Sequence, residues 1–138
     1  LERRRGAIIN VSSLAGFQPL PFNATYAATK AFVTSFSESL AEELRDSPVR
    51  VQALCPGFTR TEFQARAGVD VSDVPDLAWM TAEAVVEESL AALAQGDVIC
   101  IPGVANRLAS AATAALPRSW LRRIAGVAVR RSQAVRRG

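Results

Sequence analysis

Three short apolar runs punctuate the chain, and the distances between them decide what it can fold into. Ala7-Ile8-Ile9-Asn10-Val11 is opened by Gly6 and closed by Ser12-Ser13. Val49 to Leu54 is stopped by Pro56-Gly57, and Val98 to Ile101 by Pro102-Gly103. Each run reads as a strand. Between the first two, Ala24 to about Arg45 is rich in helix formers, with Phe32, Val33, Phe36, Leu40 and Leu44 spaced at three and four. That spacing predicts one apolar helix face, with Asn23 as N-cap and Pro48 just past the end. Between the last two, Thr81 is placed to cap a helix from Ala82 to Gln95, with Glu83 in its first turn and Gly96 beyond it. Crossovers of helix length are what parallel neighbours require, so the chain is of the α/β class with a parallel sheet. The stretch up to Leu77 reads as polar and irregular, and the residues after Pro102-Gly103 as helical, broken at Pro117. Strands of a parallel sheet are normally covered on both faces, and three make a thin sheet for that design. The pattern therefore predicts part of an α/β domain.

The 138 residues, 49% of them hydrophobic, are enough for one packed domain. There is no histidine, which excludes a Ser-His-Asp triad, a histidine zinc site and a histidine base within this chain. Cys55 and Cys100 lie far apart and suggest neither a metal motif nor a disulfide framework, so no metal is expected. Fifteen of the 16 basic residues are arginines; Lys30 is the sole lysine and Tyr26 the sole tyrosine. Proton chemistry is thus left to Ser, Tyr, Lys, Asp and Glu. No run approaches the roughly 18 apolar residues of a spanning helix, and no signal-peptide pattern precedes the first strand. The expected setting is cytoplasmic and reducing, with attachment to a membrane surface left open. The chain opens on Leu1, not Met, and is expected to be truncated at its front.

Tyr26-Ala27-Ala28-Thr29-Lys30 sets the two singletons four apart on the first helix, one above the other on a single face. A free tyrosine titrates near 10, too high for proton transfer at neutral pH, and an ammonium one turn away favours its phenolate. Most Tyr/Lys pairs at this spacing are only surface neighbours. Ser13, however, closes the first strand, and strand ends are where parallel sheets bind ligands. Its hydroxyl can hold a substrate oxygen, or simply satisfy nearby backbone groups.

Taken together, Asn10-Val11-Ser12-Ser13-Leu14-Ala15-Gly16, Tyr26-x-x-x-Lys30 and Pro56-Gly57-Phe58-Thr59-Arg60-Thr61 closely resemble the short-chain dehydrogenase/reductase family. The likeness covers roughly residues 6–67 by motif, and most of the rest by element order. It implies a Rossmann-like, doubly wound parallel sheet, of which this chain would hold the back half. It implies NAD or NADP as cofactor, with NADP favoured, and interconversion of an alcohol and a carbonyl by hydride transfer. By the same resemblance Ser13 orients the reacting oxygen and Tyr26 is the acid–base. Lys30 holds the nicotinamide ribose and lowers the tyrosine pKa. Pro56, Gly57 and Phe58 pass close to the nicotinamide, and Thr61 helps bind the cofactor. Ser12 would face the other side, because alternate strand residues do. Extended relatives acting as sugar epimerases or dehydratases share Tyr-x-x-x-Lys, but the Pro-Gly-x-x-x-Thr segment fits the shorter alcohol/ketone branch better.

The resemblance begins in the middle of the family pattern. Gly6, Gly16 and Gly57 are isolated, so the Gly-rich turn that meets the pyrophosphate is absent, as is the family's catalytic asparagine. The expectation is a working oxidoreductase as a whole, and a 138-residue portion that has no cofactor site by itself, is inactive and folds marginally because half its sheet lacks partners.

Residues 1–97 hold 8 basic and 13 acidic residues, whereas Val98 to the end holds 8 arginines and no acid. A division follows at 1–103, the dehydrogenase-like part, and 104–138, a basic amphipathic helical segment. Arg107, Arg118, Arg122, Arg123, Arg130, Arg131, Arg136 and Arg137 interleave there with Leu108, Trp120, Leu121, Ile124, Val127 and Val129. Such a segment can lie on an anionic membrane surface, or pack as a solvated helix over the cleft. It lacks the motifs of a nucleic-acid reader, and no nucleic-acid partner is expected. Phe17, Leu20, Pro21 and Phe22, with Phe63, Leu77 and Trp79, suggest a hydrophobic small-molecule alcohol or carbonyl substrate; core packing accounts for them equally well. Leu-Pro-Phe-Asn before the tyrosine is similar to hydroxysteroid and acyl-chain members. The helix 24–45 is the expected homo-oligomer contact, and the non-catalytic alternative is a module that only associates through it.

Overall fold

The computed structural model describes residues 6–68, 71–72 and 74–135, with side chains described as far as Val127. The three expected strands form one parallel sheet. β1 (Gly6–Val11) pairs along its whole length with β2 (Val49–Leu54), from Gly6↔Val49 to Val11↔Leu54. β5 (Ile99–Cys100) lies on the other side of β2, giving the order β1-β2-β5. It is shorter than its apolar run, because only Ile99 and Cys100 find partners in Ala53 and Leu54.

Central position explains the burial of β2, where Val51, Gln52, Ala53 and Leu54 are all buried. α1 (Ala24–Glu43) covers one face and α3 (Ala82–Gln95) the other. Alternation along the strands sorts the contacts. Asn10 donates to the Ser37 hydroxyl of α1 at 3.0 Å, and Ser12 pairs with Thr34 of the same helix. On the opposite face Leu54, Val85 and Cys100 form the apolar core, with Ile9, Met80 and Ala92 against it. Gln52 joins that face as a fully buried amide. Its oxygen accepts from the Ser89 hydroxyl at 2.7 Å, and its nitrogen donates to the carbonyls of Ser89 and Asp97.

α3 begins and ends as its sequence dictates. The Thr81 hydroxyl accepts from the Ala84 amide at 3.2 Å, and Gly96 closes the helix at φ 90, a left-handed conformation cheap only for glycine. Arg50 donates from β2 to the Leu93 and Ala94 carbonyls, which places a cation at the helix's negative end.

Other expectations need correction. The buried face of α1 is made by Ala27, Thr34 and Ser37; Phe32 and Phe36 stack on each other on the exposed side, 6.0 Å between ring centroids. The apolar series is thus split: Phe32 and Phe36 are exposed, whereas Val33, Leu40 and Leu44 are half-buried. Asn23 occupies the N-cap position, with its carbonyl accepting from the Ala27 amide, but its side chain makes no capping bond. The stretch read as irregular holds β3 (Phe58–Arg60), the one-turn α2 (Phe63–Arg66) and the start of a 3-10 turn at Asp76–Ala78, and β4 (Trp79–Thr81) follows it. β3 and β4 pair in parallel, Phe58↔Trp79 to Arg60↔Thr81. Three-residue strands are too short to show an alternation. Past Pro102-Gly103 the chain forms α4 (Val104–Ala114) and α5 (Arg118–Val135), separated at Pro117 as expected. The side chains of Val129, Arg130, Arg131, Arg136 and Arg137 lie outside the described residues.

Ser89→Ala tests the polar tether between β2 and α3. It strips the buried Gln52 oxygen of its donor and is expected to cost about 1–3 kcal/mol, read as a lower urea midpoint at unchanged slope.

Candidate active site

The site is built where the middle of α1 meets the carboxyl end of β1. The buried Ser12 hydroxyl lies 2.7 Å from the Lys30 carbonyl and 2.7 Å from the Thr34 hydroxyl, which itself reaches the Lys30 carbonyl at 3.1 Å. Thr34 also lies 3.8 Å from the Cys55 sulfur. This polar knot fixes one turn of α1 against the strand end. The next contact is steric. A Cβ on Gly16 would stand 2.9 Å from the Ala31 nitrogen and the Lys30 carbonyl carbon, so the 3-10 turn Leu14–Phe17 rests directly on the helix backbone. Only glycine permits that approach.

Lys30 folds back over this knot. Its ammonium donates to the Val11 carbonyl at 2.9 Å and stands 5.6 Å from the centre of the Tyr26 ring. One of its three N–H donors is thereby used and two are left. The Tyr26 ring is half-buried and packs against Phe63 of α2, 6.0 Å between centroids. Ser13 starts the 3-10 turn, with its hydroxyl oxygen accepting from the Ala15 amide at 3.2 Å. Since the oxygen acts there as acceptor, its own proton stays available for a ligand. Just ahead of α1, Phe22 takes φ 68, a left-handed conformation uncommon for a bulky residue.

The Pro56-Gly57 turn joins the same locality. Leu14 donates its amide to the Pro56 carbonyl at 3.1 Å, which sets the serine turn beside it. Asn106 of α4 backs Gly57 so closely that a Cβ there would lie 2.7 Å from the Asn106 side-chain oxygen; its nitrogen donates to the Pro102 carbonyl. Phe58 is exposed and packs on Trp79, 5.4 Å between centroids. The exposed Thr61 hydroxyl accepts from the Phe63 amide at 3.2 Å. Thr61 also lines an opening of about 510 Å³ with Arg60, Gln64 and Trp79.

The structure thus brings Tyr26 to Lys30, and Ser13's turn to Pro56 and Gly57. No hydrogen bond joins Ser13 to Tyr26 among the described residues. Ser12 does face away from Ser13, as strand alternation requires, but its grip on α1 was not anticipated: its partners lie 18 and 22 residues further on. Asn106 had no sequence signal at all. Burial pushes the Cys55 and Cys100 thiols above the usual thiol value, and for Cys55 the Thr34 and Ser12 hydroxyls act in the opposite direction.

The family model described as short chain dehydrogenase matches residues 1–71, half of the chain, and the chain belongs to this family. An uncharacterized oxidoreductase of Myxococcus xanthus is 49% identical over 65 residues, 47% of this chain and 26% of that protein. The very-long-chain 3-oxoacyl-CoA reductase of Homo sapiens is 46% identical over 63 residues, 46% of this chain and 20% of that one. Among solved structures, a 7beta-hydroxysteroid dehydrogenase superposes with a TM-score of 0.76 at 27% identity, over 91% of this chain and 49% of that chain. A short-chain dehydrogenase from Sphingobium yanoikuyae in complex with NADPH gives 0.63 at 38% identity, over 78% and 42%. The chain therefore spans about a fifth to a quarter of these curated relatives and under half of these solved structures.

Two outcomes follow. Gly16→Ala forces the serine turn off the helix backbone and is expected to lower stability by about 1–3 kcal/mol in urea unfolding. For the thiols, the native state holds protons that the unfolded chain releases, so stability is full below the ordinary thiol value and falls as pH rises through it. The urea midpoint is expected to stay level to about pH 8 and decline above about 9, and Cys55→Ser/Cys100→Ser is expected to flatten that decline.

Proposed function

We propose that the protein containing this chain interconverts an alcohol and a ketone or aldehyde, with Tyr26 as its general acid–base. One observation carries the reading: the sole lysine places its ammonium 5.6 Å from the ring of the sole tyrosine, beside a serine whose hydroxyl proton has no partner in the described structure. In the reducing direction Tyr26 gives its phenolic proton to the oxygen of the forming alcohol. The Lys30 ammonium stands beside the ring, and Ser13 donates a hydrogen bond to the same oxygen. Phe63 packs against one side of the tyrosine ring.

The residues present fit the nicotinamide half of an NAD(P) cofactor. Lys30 has two donors left for ribose hydroxyls, the exposed Phe58 and Thr61 line the approach, and the close backing of Gly57 by Asn106 leaves its other side to the ligand. When bound, the cofactor supplies or accepts the hydride. NADP is favoured, supported by the NADPH complex of the Sphingobium relative. A hydrophobic carbonyl or alcohol is the proposed substrate class. The apolar loop Phe17 to Phe22 supports it, as do the 3-oxoacyl-CoA and hydroxysteroid activities in the names of two relatives. We further infer that these 138 residues alone do not turn over, because they carry proton-transfer groups and no Gly-rich pyrophosphate turn. Exposed, stacked Phe32 and Phe36 support homo-oligomer contact through α1.

In the whole protein, Tyr26→Phe is expected to lower kcat by at least about 10²-fold with cofactor affinity little changed. The 138-residue chain in the same NAD(P)H assay is expected to give no turnover. Retention of wild-type kcat by the phenylalanine variant would sink the acid–base assignment.

A further inference from the structure

One side of α5 carries an apolar strip that no described residue covers. Trp120, Ile124 and Val127 follow at the i, i+4, i+7 spacing that shares one helix face, and they are 61%, 57% and 48% exposed. The opposite side is turned to the body of the protein. Leu121 and Ala125 are half-buried, Gly126 is buried, and Arg118 and Arg122 line an opening of about 420 Å³ against the loop Phe17 to Pro21 and α1. The strip is therefore the outward face of a docked helix.

The charges around it are as uneven as its polarity. Arg118, Arg122 and Arg123 have no ion-pair or hydrogen-bond partner for their side chains among the described residues, whereas Arg45, Arg60, Arg66 and Arg107 each pair with a carboxylate. From Val98 onward there are eight arginines and no acidic residue. The described helices include none long and apolar enough to cross a membrane.

We propose that α5 docks the protein flat on an anionic lipid bilayer. Trp120, Ile124 and Val127 enter the boundary between headgroups and acyl chains, and the unpaired Arg123 guanidinium, which flanks the strip, meets lipid phosphate. Tryptophan suits that depth, since its ring is apolar and its N–H can still find a polar partner. Two copies joined strip to strip would bring their acid-free arginine segments together, which charge repulsion opposes. The inference does not depend on the acid–base role of Tyr26.

The test is co-sedimentation of the full chain with phosphatidylcholine vesicles, with and without roughly one-third phosphatidylglycerol. Anionic lipid is expected to raise the bound-to-free ratio at least tenfold at low salt, and about 1 M salt to abolish the gain, because screening then acts within about 3 Å. Tryptophan emission should shift to the blue on binding, and this shift should be lost in Trp120→Phe, which retains Trp79. Trp120→Ala/Ile124→Ala should lose at least nine-tenths of the binding with its circular dichroism unchanged, because both side chains are exposed. Arg123→Glu, which leaves the apolar strip intact, should weaken binding to anionic vesicles alone. Equal partition into both vesicle types, no partition into either, or a salt-resistant dimer abolished by Trp120→Ala/Ile124→Ala, would overturn the proposal.

Discussion

The candidate site depends on how one turn of α1 is pinned to the end of β1. Three groups with short reach do this together: the Ser12 hydroxyl on the Lys30 carbonyl, the Lys30 ammonium on the Val11 carbonyl, and the bare Cα of Gly16 against the helix backbone. Each tolerates an error of only a few tenths of an ångström. Apolar contact alone would let a helix slide or roll along the sheet, since its energy changes little with small displacements. A polar knot permits one register. Once the Lys30 turn is fixed, Tyr26 is fixed as well, because it lies one turn earlier on the same rigid helix.

The same device recurs on the other face of the sheet. Gln52 and Ser89 exchange hydrogen bonds in full burial, and Arg50 grips the last carbonyls of α3 from the neighbouring position on β2. The described residues contain no buried side-chain nitrogen or oxygen without a partner. The sheet is thus held to a helix on each face by directional bonds, with a small apolar cluster of Leu54, Val85 and Cys100 on the α3 side. In a sheet of three strands this is a physical necessity. There is little apolar area to bury, so correct layer alignment falls to the hydrogen bonds.

The strands, the two crossover helices and the Tyr26–Lys30 pair were legible in sequence because each is written in local spacing: runs of five or six, helical periods, an interval of four. What escaped was written in the long-range contacts. The apolar series Phe32, Val33, Phe36, Leu40 and Leu44 pointed to a core face, yet the buried residues of α1 are Ala27, Thr34 and Ser37, with Val33, Leu40 and Leu44 half-buried and both phenylalanines exposed. The polar residues facing it from β1 and from Cys55 explain why the phenylalanines stay outside: Asn10 and Ser12 need hydroxyl partners, and phenylalanine cannot supply them. A period reveals that a helix has two faces; the neighbouring strand decides which one is buried. β3 and β4 were unreadable for a different reason. Each is three residues long, and their pairing joins Phe58 to Trp79 across an interval that carries no pattern of its own.

That short strand pair also links the Pro56-Gly57 turn to the proposed acid–base. β3 continues directly from the Pro56-Gly57 turn and leads into α2, whose Phe63 packs on Tyr26. β4 leads into α3 through the Thr81 cap, and Met80 beside it contacts Asn106, the residue that backs Gly57. The proposed acid–base therefore touches a one-turn helix held at one end by the cofactor-side turn and supported by its strand partner. A change of side chain at Gln64 or Ala65, both on α2 and both lining the 510 Å³ opening, alters the shape of that opening. It leaves the Ser12–Lys30–Val11 pinning of α1 untouched, because those contacts are made on the other side of the tyrosine turn. The shape of the opening and the register of α1 are thus set by separate contacts.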